Sequence, residues 1–122
     1  MGHSWVDVWI SDSERKHTEK VKALVDTGAT LTVLPKKLAD KLRIKAVTEV
    51  EVESGGGKIR LKRGVARIKI EDKEEITPVL VSEIIDKVLL GVVILESLGF
   101  CVDPTTGRLK PTSFLLYPFI VP

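Results

Sequence analysis

The sequence Asp-Thr-Gly-Ala at residues 26–29 lies between two apolar runs, residues 21–25 and residues 31–34. Aspartate and glycine are both typical of tight turns, so the pattern predicts a turn between two buried strands. The turn carries one carboxylate, and a carboxylate removed from water without a partner is costly. A purely structural role for Asp26 in the turn remains open at this point, and a chemical role is the alternative.

A second apolar strand ends at a glycine far downstream. Leu89 and Leu90 precede Gly91, and an apolar stretch compatible with a helix follows over residues 92–98. An Asp-Thr-Gly-Ala turn between apolar strands, followed by two leucines and a glycine before a helix, resembles the retropepsin-like aspartic proteases. These are the half-sized relatives of pepsin found in retroviruses and in cellular proteins. The resemblance covers residues 21–109 and implies a mostly β fold, a small closed β-barrel with one or two short helices.

Between the two motifs, residues 48–63 have the pattern of a β-hairpin. Residues 48–53 and 58–62 alternate apolar with charged side chains, and a Ser-Gly-Gly-Gly turn separates them. Such alternation on both sides of glycines predicts two antiparallel strands, although a merely flexible loop fits the glycines equally well. The resemblance implies that this hairpin is the flap that closes over a substrate. The candidate substrate-binding residues are then Ser54, Gly55, Gly56, Gly57 and Ile59.

One Asp-Thr-Gly sequence supplies only half of an aspartic protease site. Hydrolysis by carboxylates needs one group to accept a proton from water and another to donate one, and aspartic proteases as a class use two carboxyls that share a proton. The resemblance therefore implies a homodimer in which Asp26 of each chain is catalytic. It also implies that Thr27 clamps the two loops together, and that Gly28 and Ala29 are small residues beside the carboxylate. Leu90 and Gly91 would support the loop from below.

The resulting hypothesis is an aspartic endopeptidase that acts as a homodimer on peptides or unfolded proteins, with a catalytic water and no cofactor. The alternative is a weakly active or inactive retropepsin-like module that dimerises or binds peptides. Two departures from the viral pattern concern the flap and the dimer, and neither touches the catalytic residues. The turn at residues 54–57 lacks the apolar residues of viral flaps, and Val92 stands where many viral enzymes have arginine. A chance motif in an unrelated barrel is improbable because the second motif lies at the expected distance.

Composition argues against several other classes of function. The net charge is only +2, with 19 basic and 17 acidic residues interleaved along the chain, so no basic stripe predicts nucleic-acid binding. No apolar run approaches a membrane span, and the N-terminus lacks the pattern of a signal peptide, so we expect a cytoplasmic protein without a membrane partner. His3 and His17 do not stand at ligand spacing from a second ligating side chain, and we expect no metal site.

The remaining sequence predicts the elements around these motifs within one domain over residues 1–122. Alternation predicts strands at residues 5–10, 65–70 and 76–81, with Pro78 at an edge or bulge. Pro35 fits the first position of a short helix that buries Leu38 and Leu42, and Gly99 fits the end of the helix over residues 92–98. The apolar tail, residues 113–122, is expected to pack on its own domain or on a second chain, and the resemblance favours the second chain.

Overall fold

The fold is mostly β, as predicted from the sequence. The computed structural model describes residues 4–112, and the predictions for residues 113–122 lie outside that range. Within it, the elements are β1 Trp5–Ser11, β2 Thr18–Val25, β3 Thr32–Pro35, α1 Lys36–Lys41, β4 Ala46–Ser54, β5 Gly57–Ile70, β6 Lys73–Ser82, β7 Val88–Leu90, α2 Val92–Ser97, β8 Phe100–Val102 and β9 Leu109–Pro111.

Six of these strands close into a barrel. Their order is β1-β2-β7-β3-β6-β5, and pairing of Trp9 with Lys69 and of Ile10 with Ile68 joins β5 back to β1. Two pairs are parallel, β2 with β7 and β3 with β6, so the sheet is mixed. β4 joins the sheet through β5 and forms the outer strand of a hairpin that begins at residue 46. β8 and β9 form a separate antiparallel pair.

The alternation predicted from the sequence decides which side chains fill the barrel. On β1, Val8 and Ile10 are fully buried, whereas Trp5 and Trp9 on the opposite face are about half exposed. The core continues through alternate residues of the other strands and one face of α2. Its largest fully buried apolar side chains include Leu34, Ile68, Ile70, Leu90 and Ile94.

One long strand was predicted from the sequence as two separate strands. The patterns at residues 58–62 and 65–70 were interpreted as separate strands, but β5 runs without a break from Gly57 to Ile70. Gly64 lies inside it, and a Cβ there would come within 2.4 Å of the carbonyl oxygen of Lys45. Glycine at this position therefore allows the chain entering β4 to approach the strand closely, and it does not end the strand.

Two prolines lie close to their predicted positions. Pro35 ends β3 and is the N-cap residue of α1, whose first residue is Lys36. The prediction placed Pro35 at the first helical position instead. Pro78 pairs with Val65 of β5, and the pairing of β6 with β3 begins only at Val79. Pro78 thus lies just outside the doubly paired part of its strand, where its missing N–H costs little.

Candidate active site

The loop between β2 and β3 carries Asp26 and is fixed by its own backbone. The Asp26 N–H donates to the carbonyl oxygen of Leu90 at 3.0 Å, which ties the loop to the end of β7. The Ala29 N–H donates to the Asp26 carbonyl oxygen at 3.1 Å and closes the turn. The Gly28 N–H donates to Oδ1 of Asp26 at 3.0 Å, so the backbone of the motif orients the carboxylate. A Cβ on residue 28 would lie 3.2 Å from that oxygen, so a side chain there would crowd the carboxylate.

A second layer of hydrogen bonds holds this loop on the start of α2. The N–H groups of Val92 and Val93 donate to the carbonyl oxygens of Ala29 and Thr30, at 2.8 and 3.0 Å. These first-turn amides have no partner within their own helix, so the loop satisfies them. The Gly91 N–H donates to Oγ1 of Thr32 at 3.1 Å in the buried interior. The two sequence motifs therefore form one hydrogen-bonded unit.

Asp26 opens onto a groove of about 670 Å³ between this loop and the β4–β5 hairpin. Asp26 itself is half-buried in the single chain, and the neighbouring Thr27 is exposed. The groove is lined mainly by apolar side chains from β3, from the hairpin and from β6 and β7. They include Val33, Val50, Val52, Leu61, Leu80 and Leu89. A carboxylate beside an apolar groove of this size can act on a ligand that contributes several apolar side chains.

The hairpin over this groove has two different faces. On one face, Val50, Val52 and Leu61 line the groove. On the other face, glutamates of β4 form ion pairs with basic side chains of β5, Glu49 with Arg60 at 3.3 Å and Glu51 with Lys58 at 3.6 Å, and Glu51 also contributes to the groove lining. At the tip, the Ser54 hydroxyl donates to the Gly57 carbonyl oxygen at 2.8 Å, and Gly57 has a φ of 124°. A positive φ of this size favours glycine, so the turn needs Gly57 for its conformation.

The structure brings together some of the predicted site residues and separates others. Asp26, Gly28, Ala29, Ser54 and Ile59 all line the groove. Leu90 and Gly91 lie beneath the loop. Leu90 accepts a hydrogen bond from Asp26 in the loop, and Gly91 donates one to Thr32 at the start of β3. Thr27 is exposed beside the groove, and Gly55, Gly56 and Gly57 lie at the hairpin tip outside its lining. The catalytic, clamping and substrate-binding roles of these residues remain predictions.

Thr32 is a site residue that the sequence interpretation missed. It lies in the apolar run at residues 31–34, and it is almost fully buried. A threonine hydroxyl in a buried strand needs a hydrogen-bond partner, and Gly91 N–H supplies one. A polar residue in the middle of that run was the available signal.

No metal cluster and no membrane-spanning helix occur in the part of the chain that the structure describes. Residues 4–112 contain no group of three or more His, Cys, Asp or Glu side chains placed to hold a metal ion. No helix in that range is both long and apolar enough to cross a bilayer.

Comparison with known proteins identifies the family. A family model described as "gag-polyprotein putative aspartyl protease" matches residues 15–97, more than half of the chain and both sequence motifs. The chain belongs to this family. The retropepsin-like aspartic protease family predicted from the two motifs is thereby confirmed.

A solved structure shares the fold of this chain. The structure of EIAV protease complexed with the inhibitor HBY-793 matches with a TM-score of 0.64, and the match covers 94% of each chain. The sequence identity is 22%, so this likeness concerns the fold, and it confirms the retropepsin-like barrel of this aspartyl protease family member. A search of the curated proteins found no match.

Proposed function

We propose that this chain is an aspartic endopeptidase that hydrolyses peptide bonds as a homodimer. The observation that carries the proposal is the position of the Asp26 carboxylate, which the Gly28 amide orients beside an apolar groove covered by a hairpin. Membership of an aspartyl protease family supports the same reaction class. Peptides or unfolded proteins are the proposed substrates, because an extended chain can fill such a groove with alternate side chains.

The proposed dimer follows from the number of carboxylates. Each chain provides one Asp-Thr-Gly turn, and the reaction needs a proton acceptor and a proton donor at the same bond. Asp26 is half-buried and Thr27 is exposed in the single chain, so the loop is accessible to a second loop related by a two-fold axis. Two copies of Asp26 would then flank one water molecule.

In this mechanism, one Asp26 carboxylate accepts a proton from the water as its oxygen attacks the carbonyl carbon of the peptide bond. The other Asp26, in its protonated form, donates to the carbonyl oxygen and gives a neutral tetrahedral diol. The carbon–nitrogen bond then breaks as one carboxyl gives its proton to the nitrogen and the other, now ionised, accepts a proton from a hydroxyl of the diol. The products are a carboxylic acid and an amine, and the pair of carboxyls again holds one proton. The chain's own side chains suffice for these steps, so the proposal includes a catalytic water and no cofactor.

The test is cleavage of an unfolded protein from about pH 3 to about pH 8 by the wild type and by Asp26→Asn, which removes the proton acceptor at little change in shape. We expect turnover to fall at least about a hundred-fold in the variant, with the fold and the oligomeric state retained. Asp7→Asn is the matched control, because Asp7 lies on the exposed face of β1 outside the groove and pairs with Lys22 at 3.5 Å. It should retain wild-type activity.

A well-folded dimer that cleaves nothing across this pH range would contradict the proposal. The flap turn without apolar residues would then favour the second candidate, a module that binds peptides without cleaving them.

A further inference from the structure

We propose that Arg63 is a specificity-determining residue that makes the groove prefer peptides with an acidic side chain. This inference rests on the proposed function, because it assumes that the groove is where a peptide binds. It adds a charge preference to a groove whose other walls are mainly apolar.

The position of Arg63 places it on the groove wall. It lies on β5 two residues after Leu61, and alternate residues of a strand share a face. Both side chains line the groove that also contains Asp26. Arg63 lies near the base of the hairpin, next to the Ala46–Gly64 pair where β4 begins, and away from the glycine tip. It would therefore meet a peptide side chain some distance from the cleaved bond.

Arg63 has no charged partner in the part of the chain that the structure describes. Its cross-strand neighbours are uncharged, Thr48 on β4 and Leu80 on β6. No carboxylate of residues 4–112 forms an ion pair with it. Arg67 lies four residues further along β5 on the same face. Unlike Arg63, it forms an ion pair, with Glu74 at 3.3 Å.

The acidic residues of the groove do not neutralise Arg63. Asp26, Glu51 and Glu53 also contribute to the lining, but Glu51 pairs with Lys58 at 3.6 Å. Neither Asp26 nor Glu53 forms an ion pair with Arg63 among the ion pairs of residues 4–112. Arg63 is thus a guanidinium with free donors beside an apolar surface. A carboxylate can accept two parallel hydrogen bonds from such a group, whereas a lysine side chain of a peptide would be repelled.

The experiment measures kcat/KM for a set of peptides in which one position at a time carries Glu, Gln or Lys. For the wild type we expect Glu to exceed Gln about five-fold at the responsive position, since an exposed charge pair contributes up to ~1 kcal/mol and 1.4 kcal/mol is ten-fold. Arg63→Gln should abolish this preference, Arg63→Glu should reverse it in favour of Lys, and Arg63→Lys should retain it in part. Arg63 is exposed, so these variants should fold.

Lys62→Gln is the matched control. Lys62 is the adjacent residue of β5, so its side chain points to the opposite face, and it lines a different pocket beside α1. Its removal lowers the net charge as Arg63→Gln does, but it should leave the Glu-to-Gln ratio unchanged. An equal change in both variants would assign the preference to overall charge and overturn the inference.

Binding of the same peptides to Asp26→Asn, followed by fluorescence polarisation, separates this inference from the proposed function. Cleavage with a Glu-to-Gln ratio that does not respond to Arg63 would overturn the inference alone. Binding with an Arg63-dependent preference but no cleavage by the wild type would overturn the proposed endopeptidase and support the inference. Neither binding nor cleavage would overturn both.

Discussion

At the scale of the residue, Gly91 is the position at which the second sequence motif closely approaches the backbone that follows the Asp-Thr-Gly-Ala turn. A Cβ at this position would lie 2.5 Å from the carbonyl carbon of Leu31 and 2.7 Å from the carbonyl oxygens of Thr30 and Leu31. These are backbone atoms of the segment that follows Ala29, so they cannot move away as a flexible side chain could. Glycine is required here because the chain that leaves β7 passes directly beneath the Asp26 loop.

We expect Gly91→Ala to lower the free energy of unfolding by about 1–3 kcal/mol, the usual cost of an added group in a filled interior. The added methyl group should also displace the Asp26 loop. We therefore expect the rate of cleavage to fall even under conditions where the variant is fully folded. Gly56→Ala is the control for stability, because a Cβ at Gly56 meets no atom within 4 Å. Urea unfolding measures the free energy of unfolding of both variants. Equal values for Gly91→Ala and Gly56→Ala would contradict a filled interior at Gly91.

The sequence singled out Asp26, Leu90 and Gly91 and predicted that the last two lie beneath the Asp26 loop, but it did not predict the hydrogen bonds that join them to it. Asp26 and Gly91 stood out because each follows an apolar strand in a recognisable pattern. The Thr32–Gly91 hydrogen bond joins residues that are distant in sequence, and no local pattern encodes such a pair. The presence of Arg63 on the groove wall depends on how the hairpin lies over the barrel, which no local pattern encodes.

At the scale of the element, Glu74 joins three parts of the barrel wall. Its carboxylate accepts from Arg15 at 2.9 Å in the β1–β2 turn and lies 3.3 Å from Arg67 of β5. The Arg15 hydrogen bond, followed by the charges of Arg15 and Arg67, lowers the pKa of Glu74 below its ordinary value of 4.5. The folded state therefore favours the ionised form of Glu74.

This lowered pKa predicts a stabilising contribution that depends on pH. Because the pKa is lower in the folded chain, the contribution is present above pH 4.5 and is lost as pH falls through the folded pKa. Glu74→Gln should lower Tm by about 3 °C at neutral pH and by progressively less in acid. Thermal unfolding measures the effect, with Glu75→Gln at the exposed neighbouring position as the matched control. A deficit for Glu74→Gln that is constant with pH would contradict the assignment.

The elements themselves were predicted more completely than their partners. Alternation along the strands and the glycines after β7 and α2 gave most bounds within a residue or two. The parallel pairing of β2 with β7 and the closure of β1 on β5 were not predicted, because alternation shows which face is buried but not which strand lies alongside. The unbroken β5 was missed because Gly64 interrupts the apolar pattern where only a close backbone contact explains it.

At the scale of the whole molecule, the barrel presents the Asp26 carboxylate at the edge of a groove. The fold and the family are those of retropepsin-like proteases, and each chain supplies one copy of the Asp-Thr-Gly turn. We propose that two copies of Asp26, from two chains, act together on one peptide bond. Mixing wild-type and variant subunits tests this proposal.

The most direct measurement is the activity of wild-type chains refolded together with Asp26→Asn chains in varying proportion at constant total concentration. If both carboxylates are needed, only dimers with two wild-type chains are active, and activity falls as the square of the wild-type fraction. An equal mixture would then retain about one quarter of the activity, since the reaction needs both a proton donor and a proton acceptor. Retention of one half would mean that each Asp26 acts alone, and it would contradict the account.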